Sequence, residues 1–266
     1  MHHKLAALVL SFLIVIAAWP ALAERSLYDE QDVSVSPKAL DQFNKGERLA
    51  QNQQFDAAIA AYRQAIKLQP DYARAHHQLG LAYAALNQYP EAFQAFQEAA
   101  HLHPQWGLVH ENLGVAAIKL GRWREARAAL QQAIRLHPEN AETHYNLGLA
   151  NGKLGRDQEA QAEFAAAIRL DPGMAKAHLN LGLAYLNLGT LDKAGKSLQE
   201  AVQLKPDDAQ ARFALCVYYA RKGDPQAANQ EFQALKKLDP GLAEQLAGRM
   251  RAGPTPGQPP VPAKAK

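Results

Sequence analysis

His76, His110, His144 and His178 follow one another at intervals of 34 residues. Imidazoles in a row could ligate a metal ion or titrate together near neutral pH. His101 and His103 form a closer pair around Leu102, and Cys216 is the one thiol in 266 residues. A single cysteine excludes an internal disulfide. The chain has no paired metal-cysteine motif, no phosphate-cradling glycine loop and no nucleophile elbow, which argues against an enzyme. The informative feature is the spacing itself.

Prolines recur with the same period, at 70, 104, 138, 172, 206 and 240. With each proline taken as position 32, the units run 39–72, 73–106, 107–140, 141–174, 175–208 and 209–242. Position 8 is then Gly46, Gly80, Gly114, Gly148, Gly182 and Cys216, and position 20 is Ala in every unit. Position 24 is large and apolar: Tyr62, Phe96, Leu130, Phe164, Leu198 and Phe232. Two apolar stripes at helical spacing flank position 15, where Asn87, Gly121, Gly155, Gly189 and Gly223 tolerate the left-handed backbone that ends a helix. Gly at 8 and Ala at 20 let two helices approach closely, while the side chain at 24 fills the gap between neighbours. Each unit is therefore a helical hairpin that cannot bury its face alone, and the units must stack.

This pattern resembles the tetratricopeptide repeat (TPR) over 39–242. The resemblance implies an all-α fold, a right-handed superhelical α-solenoid of helix–turn–helix repeats. A further helix over 243–251 would cap the array, and 252–266, "AGPTPGQPPVPAKAK", reads as a disordered Pro-rich tail. Residues 24–38 read as a linker. In such a stack, equivalent positions lie two helix widths apart, at roughly 8–10 Å per helix contact. No single ion spans that gap, so neither a metal nor another cofactor is expected. The histidines at position 4 stand where the family carries a bulky aromatic. Trp123 reads as packing, Trp106 as free to reach the groove, and Cys216 as buried filler.

The resemblance also implies that first helices line a concave groove which receives a partner's peptide or helix through positions 2, 5, 9, 12 and 13. Carried onto this chain, the groove residues are Phe43, His77, Leu81, Val115, Ile118, Lys119, Tyr145, Leu149, Gly152, Lys153, Leu179, Leu183 and Phe213. They form an apolar stripe with basic residues along one side, suited to a protein or peptide with apolar anchors. Family members that hold a chaperone's C-terminal carboxylate use Lys at position 5 and Asn at position 9. Neither is present here in any unit, so that activity is not implied. The expectation is a non-catalytic scaffold assisting assembly of an envelope or lumenal complex. Alternatives are a recruiter of a cell-wall polymer, for which only Phe43, Tyr145 and Phe213 supply aromatics, and a self-association module.

Residues 1–23 have the layout of a secretory signal: "MHHK", a charge-free run, then "ALA" before Glu24. Export to a periplasm, lumen or exterior follows, or membrane anchoring by 5–23 if the segment is not cleaved. Formal net charge is +3, and losing Lys4 leaves +2. That balance is too even for a phosphate-binding stripe, so nucleic acid is not an expected partner.

One unit breaks the pattern. Asn151-Gly152 would signal a hairpin in isolation, but the register places it inside a first helix. Asn151 stands where Tyr83 and Tyr185 occur in other units, and Asp157 where Phe55, Tyr89 and Trp123 occur. The expectation is a soft fourth unit lacking a packing group. Either Gly152 opens a notch for a partner's side chain, or the substitutions are drift in a redundant array.

Overall fold

A computed structural model describes residues 35–251 of the chain. The stretch 1–23 read above as a secretory signal, most of the stretch read as a linker and the Pro-rich stretch 252–266 lie outside the described residues. Among the described residues the secondary structure is helical throughout. The helices are α1 (Pro37–Gln51), α2 (Phe55–Leu68), α3 (Ala73–Ala85), α4 (Tyr89–Leu102), α5 (Gly107–Lys119), α6 (Trp123–Leu136) and α7 (Ala141–Lys153). They continue as α8 (Asp157–Leu170), α9 (Ala175–Asn187), α10 (Leu191–Leu204), α11 (Ala209–Lys222), α12 (Pro225–Leu238) and α13 (Pro240–Arg251). None is long and apolar enough to cross a membrane. The chain divides after Arg122 into two compact units, the first holding α1–α5 and the second α6–α13. Within each, consecutive helices pack on one another.

The hairpin turns follow the sequence register. Gln53 and Asn87 (φ 58° each) and Gly121, Gly155, Gly189 and Gly223 (φ 69–79°) all adopt the left-handed conformation at position 15. Position 8 shows why glycine is needed there. A Cβ on Gly148 would come 2.6 Å from the Phe164 ring, and one on Gly80 2.6 Å from Phe96. Closer backbones let a large side chain fill the hairpin, and Phe96, Phe164 and Leu198 are buried accordingly. Unit six departs from this. Cys216 occupies the glycine slot, its thiol donating to Ala228 O at 3.2 Å, and Phe232 is left only half-buried. Burial pushes the Cys216 thiol up to about 11, as suits filler rather than a nucleophile.

The helix boundaries have local causes. Ser36 accepts from Ala39 N at 3.3 Å, so Pro37 and Lys38, read above as linker, form the first turn of α1. Asp239 accepts from Leu242 N at 2.9 Å with Pro240 at the first helical position. The closing helix thus starts at 240 rather than 243. Its Leu242, Ala243 and Leu246 cover Phe213, Cys216, Ala228 and Leu235.

The histidine row closes the joints between units. His76, His110, His144 and His178 each place Nε2 2.8–3.0 Å from the carbonyl oxygen of the preceding proline, at 70, 104, 138 and 172. A carbonyl only accepts, so Nε2 carries the proton. The rings are clasps on the inter-repeat loops rather than volume fillers. In unit six Arg212 does the same through Nε to Pro206 O at 2.8 Å, while its NH1 donates to Glu231 at 2.9 Å. His144 Nδ1 likewise lies 2.7 Å from Glu163 Oε2.

Candidate partner-binding surface

The first helices α1, α3 and α5 in the first unit, and α7, α9 and α11 in the second, carry the residues singled out above. Position 5 faces inward more than expected. Phe43 packs its ring 5.1 Å from Tyr72 and 5.8 Å from Tyr62. His77 lies 4.6 Å from Trp106 and 5.7 Å from Phe96. Leu179 and Leu183 belong to one buried cluster of the second unit and Phe213 to another. These five residues are between 2% and 9% exposed. Their assignment to a contact surface is corrected: they hold the hairpins together and offer a partner almost no area. Phe43, His77, Leu179 and Phe213 stand at position 5 and Leu183 at position 9, and each packs against residues of neighbouring helices.

His77 shows what this burial does chemically. Burial first, then the Arg74 charge, push its imidazole down to about 3, so it is neutral. Its Nε2 is 3.0 Å from Asn112 Nδ2, an amide that only donates, which makes Nε2 the acceptor. Trp106 is also buried against His77 and His103, and does not reach outward.

What remains accessible is narrower. In the first unit Leu81, Val115 and Ile118 are half-buried and Lys119 is exposed, its Nζ 6.0 Å above the Tyr89 ring. In the second unit Tyr145 and Leu149 are half-buried, and Gly152 and Lys153 are exposed. Tyr145 is held in place by Phe164 (5.8 Å), by Lys176 Nζ over its ring (4.5 Å) and by Asn180 Nδ2 donating to its hydroxyl (3.3 Å). Burial and Glu142 raise this phenol to about 12, so it stays protonated.

A row of amides was passed over in the sequence. Position 6 is Asn44, Gln78, Asn112, Asn146 and Asn180 in the first five units. Several link one first helix to the one before: Gln78 Nε2 to Glu47 (3.3 Å), Asn112 to His77 and Asn180 to Tyr145. Each is at least partly accessible. In the sequence these residues show only as an amide repeated in register beside the apolar positions.

The irregular fourth unit is not short of a packing group. α7 runs unbroken through Asn151 and Gly152 to Lys153. Asn151 is 2% exposed, and its Oδ1 accepts from Arg127 Nε at 3.1 Å. Arg127 stands where Ile59 and Phe93 are buried in the earlier units, so a guanidinium–amide pair replaces an apolar one at this joint. Gly152 encloses nothing: a Cβ there would meet only Ala160 Cβ, at 3.9 Å. A cavity of about 320 Å³ lies instead between Arg124, Arg127, Leu154 and Arg156.

Comparison with known proteins agrees with this architecture. The family described as Cilia and flagella-associated protein 70 C-terminal domain, a TPR family, matches residues 20–252. No curated protein matches the chain. Among solved structures it is similar to MamA, at 26% identity and TM-score 0.61 over 65% of this chain and 94% of that one. It is similar to YrrB, a TPR protein with an unusual peptide-binding site, at 21% identity and TM-score 0.62 over 71% and 98%. It is also similar to pilF of Pseudomonas aeruginosa, at 20% identity and TM-score 0.65 over 79% and 97%. Glycine-spaced hairpins, left-handed turns at position 15 and a family match over most of the sequence lead to one conclusion: the chain belongs to the tetratricopeptide-repeat family described as Cilia and flagella-associated protein 70 C-terminal domain, an all-α helical-repeat fold.

Proposed function

We propose that this protein is an exported, non-catalytic TPR scaffold that binds a protein or peptide partner on its first-helix face and assists assembly of an envelope or lumenal complex. The observation that carries the reading is the pairing, in each compact unit, of half-buried apolar side chains at position 9 with accessible amides at position 6. In the first unit these are Leu81 and Val115 beside Gln78 and Asn112; in the second, Leu149 beside Asn146 and Asn180. Apolar side chains supply contact area, and amides satisfy the backbone N–H and C=O groups that a docked peptide brings with it. Lys119 and Lys153 add orientation. YrrB's peptide-binding site on a similar fold supports the same class of ligand. The signal-like layout of residues 1–23 supports export. A polymer-recruiting role has less support, because Phe43 and Phe213, two of the three aromatics it needs, are buried.

Site-specific photo-cross-linking in the native compartment tests the reading. A photoreactive residue at Leu149 should capture a discrete polypeptide, and one at exposed Lys236 on α12 should not. Equal capture at both positions, or none at Leu149 while the fold is intact by circular dichroism, refutes the surface. Capture of a second copy of the chain would replace a distinct partner with self-association.

A further inference from the structure

The cavity at the joint of the third and fourth repeats is lined by three guanidinium groups. Arg124 lies in the first turn of α6, Arg127 one turn further on, and Arg156 at the N-terminal cap of α8, with Leu154 as the apolar wall. All lie within the second compact unit. Arg124 and Arg156 are exposed and Arg127 half-buried, so water screens their mutual repulsion, and together they present a concentrated positive charge to an incoming anion. Internal anions answer only part of this charge. Arg156 NH1 pairs with Glu159 at 3.3 Å, both about half exposed. Arg127 commits Nε to Asn151, a neutral amide. Among the described residues no carboxylate pairs with Arg124 or Arg127. Asp157, the acid next in sequence, accepts instead from Asn187 Nδ2 at 3.4 Å.

Asn151 and Asp157 are small where other units carry Tyr83 and Tyr185, or Phe55, Tyr89 and Trp123. Asn151 is hydrogen-bonded to the cavity's Arg127, and Asp157 follows its Arg156 in the chain. Asn151 also fixes the Arg127 guanidinium through Nε, which leaves its two terminal nitrogens to bind as a fork. Planar forks match carboxylates bidentately.

We propose that the cavity bounded by Arg124, Arg127, Leu154 and Arg156 receives adjacent carboxylates from an acidic segment of the polypeptide partner. This rests on the reading that the partner is a polypeptide. It adds that the partner carries clustered Asp or Glu side chains, and that they dock apart from the apolar first-helix face. Charge complementarity decides the occupant: three guanidiniums around about 320 Å³ suit two or three side-chain carboxylates better than an apolar anchor.

The test uses the full chain and a rhodamine-labelled hexapeptide of alternating Glu and Asp, with its Gln/Asn counterpart as control, read by fluorescence anisotropy. The acidic peptide should bind and the neutral one should not. Arg124→Gln combined with Arg156→Gln should weaken binding by roughly tenfold or more, since two charge-assisted forks are lost. Lys236→Gln combined with Lys237→Gln removes the same charge from exposed α12 and should change binding less than about twofold. Equal weakening by both pairs means bulk electrostatics and overturns the proposal, as does binding of the neutral peptide. Displacement by millimolar inorganic phosphate at constant ionic strength also overturns it, in favour of a small-oxyanion site. Leu149→Glu, with the photoreactive residue moved to Asn146 on the same face, separates the two readings. If it abolishes native cross-links while leaving acidic-peptide binding intact, the two surfaces are distinct. If native cross-links persist but the acidic peptide never binds, the first-helix reading stands and this one fails.

Discussion

His77→Phe is the substitution whose outcome the structure sets most sharply. In the folded chain the His77 imidazole is held down to about 3, whereas in the unfolded chain it titrates near 6.5. Between these values the unfolded state binds a proton that the folded state refuses. The folded state is therefore favoured above pH 6.5, and loses that advantage as pH falls toward 3. One pKa unit corresponds to about 1.36 kcal/mol, so lowering the pH from 7 to 4 should remove about 3 kcal/mol through this group alone. The side chain is 4% exposed, so solvent screening does little to reduce the figure. Phe occupies the same register position in the first and sixth repeats, as Phe43 and Phe213, which makes it a fair replacement. At pH 7 the variant loses one hydrogen bond to half-exposed Asn112 and gains buried apolar surface, a net change of about 1 kcal/mol or less. The assay is urea unfolding followed by circular dichroism at pH 7, 5.5 and 4, with amide exchange in α3 as a local readout. The variant should be more acid-resistant than the parent, the difference widening as pH falls. If parent and variant lose stability in parallel across that range, His77 is not a buried neutral group and the reasoning fails.

Two glycines four residues apart should respond oppositely to alanine. Gly148→Ala drives a Cβ into the Phe164 ring and should cost about 1–3 kcal/mol, whereas Gly152→Ala has room and should stabilise by about 1 kcal/mol; thermal denaturation of both variants checks the pair. His144→Arg should retain stability because Arg212 makes the equivalent clasp in the sixth repeat, while His144→Ala should lose about 1–3 kcal/mol. Asn151→Leu takes away the acceptor of Arg127 Nε in a buried site and should destabilise by about 1–3 kcal/mol, with increased amide exchange confined to α6 and α7. In the folded protein Cys216 should resist iodoacetamide at pH 8, since burial raises its thiol to about 11, and should react once urea is added.

Much of the fold was legible in one dimension because a repeat states its packing rules several times. Gly148 opposite Phe164 is a single coincidence, but the same pair recurs as Gly80 with Phe96 and Gly182 with Leu198. Gln53 is the instructive exception at the turns: its backbone is left-handed at position 15 although its side chain does not announce it. There the tertiary register overrode local preference. The contact surface was harder to read. An apolar residue at a first-helix position packs on its own hairpin, on its neighbour or against a partner, and its identity is the same in each case. Leu149 and Leu183 share a register position, yet Leu183 is buried and Leu149 remains partly open. What differs is the set of residues packed around each, which the spacing of one strip of sequence does not reveal.

By itself the sequence determined the 34-residue period, the helical hairpins, the turn positions and the family, because these depend on contacts within a unit or between equivalent residues of adjacent ones. Tertiary structure decided what non-equivalent residues do when brought together. It turned the histidine row into clasps on proline carbonyls and drew Phe43 and His77 into the core. It also paired Asn151 with an arginine 24 positions earlier, where the sequence had suggested a missing side chain, and gathered three guanidinium groups around one cavity. Burial, hydrogen-bond partnership and charge gathering depend on distances across helices, and those distances exist only once the hairpins have stacked.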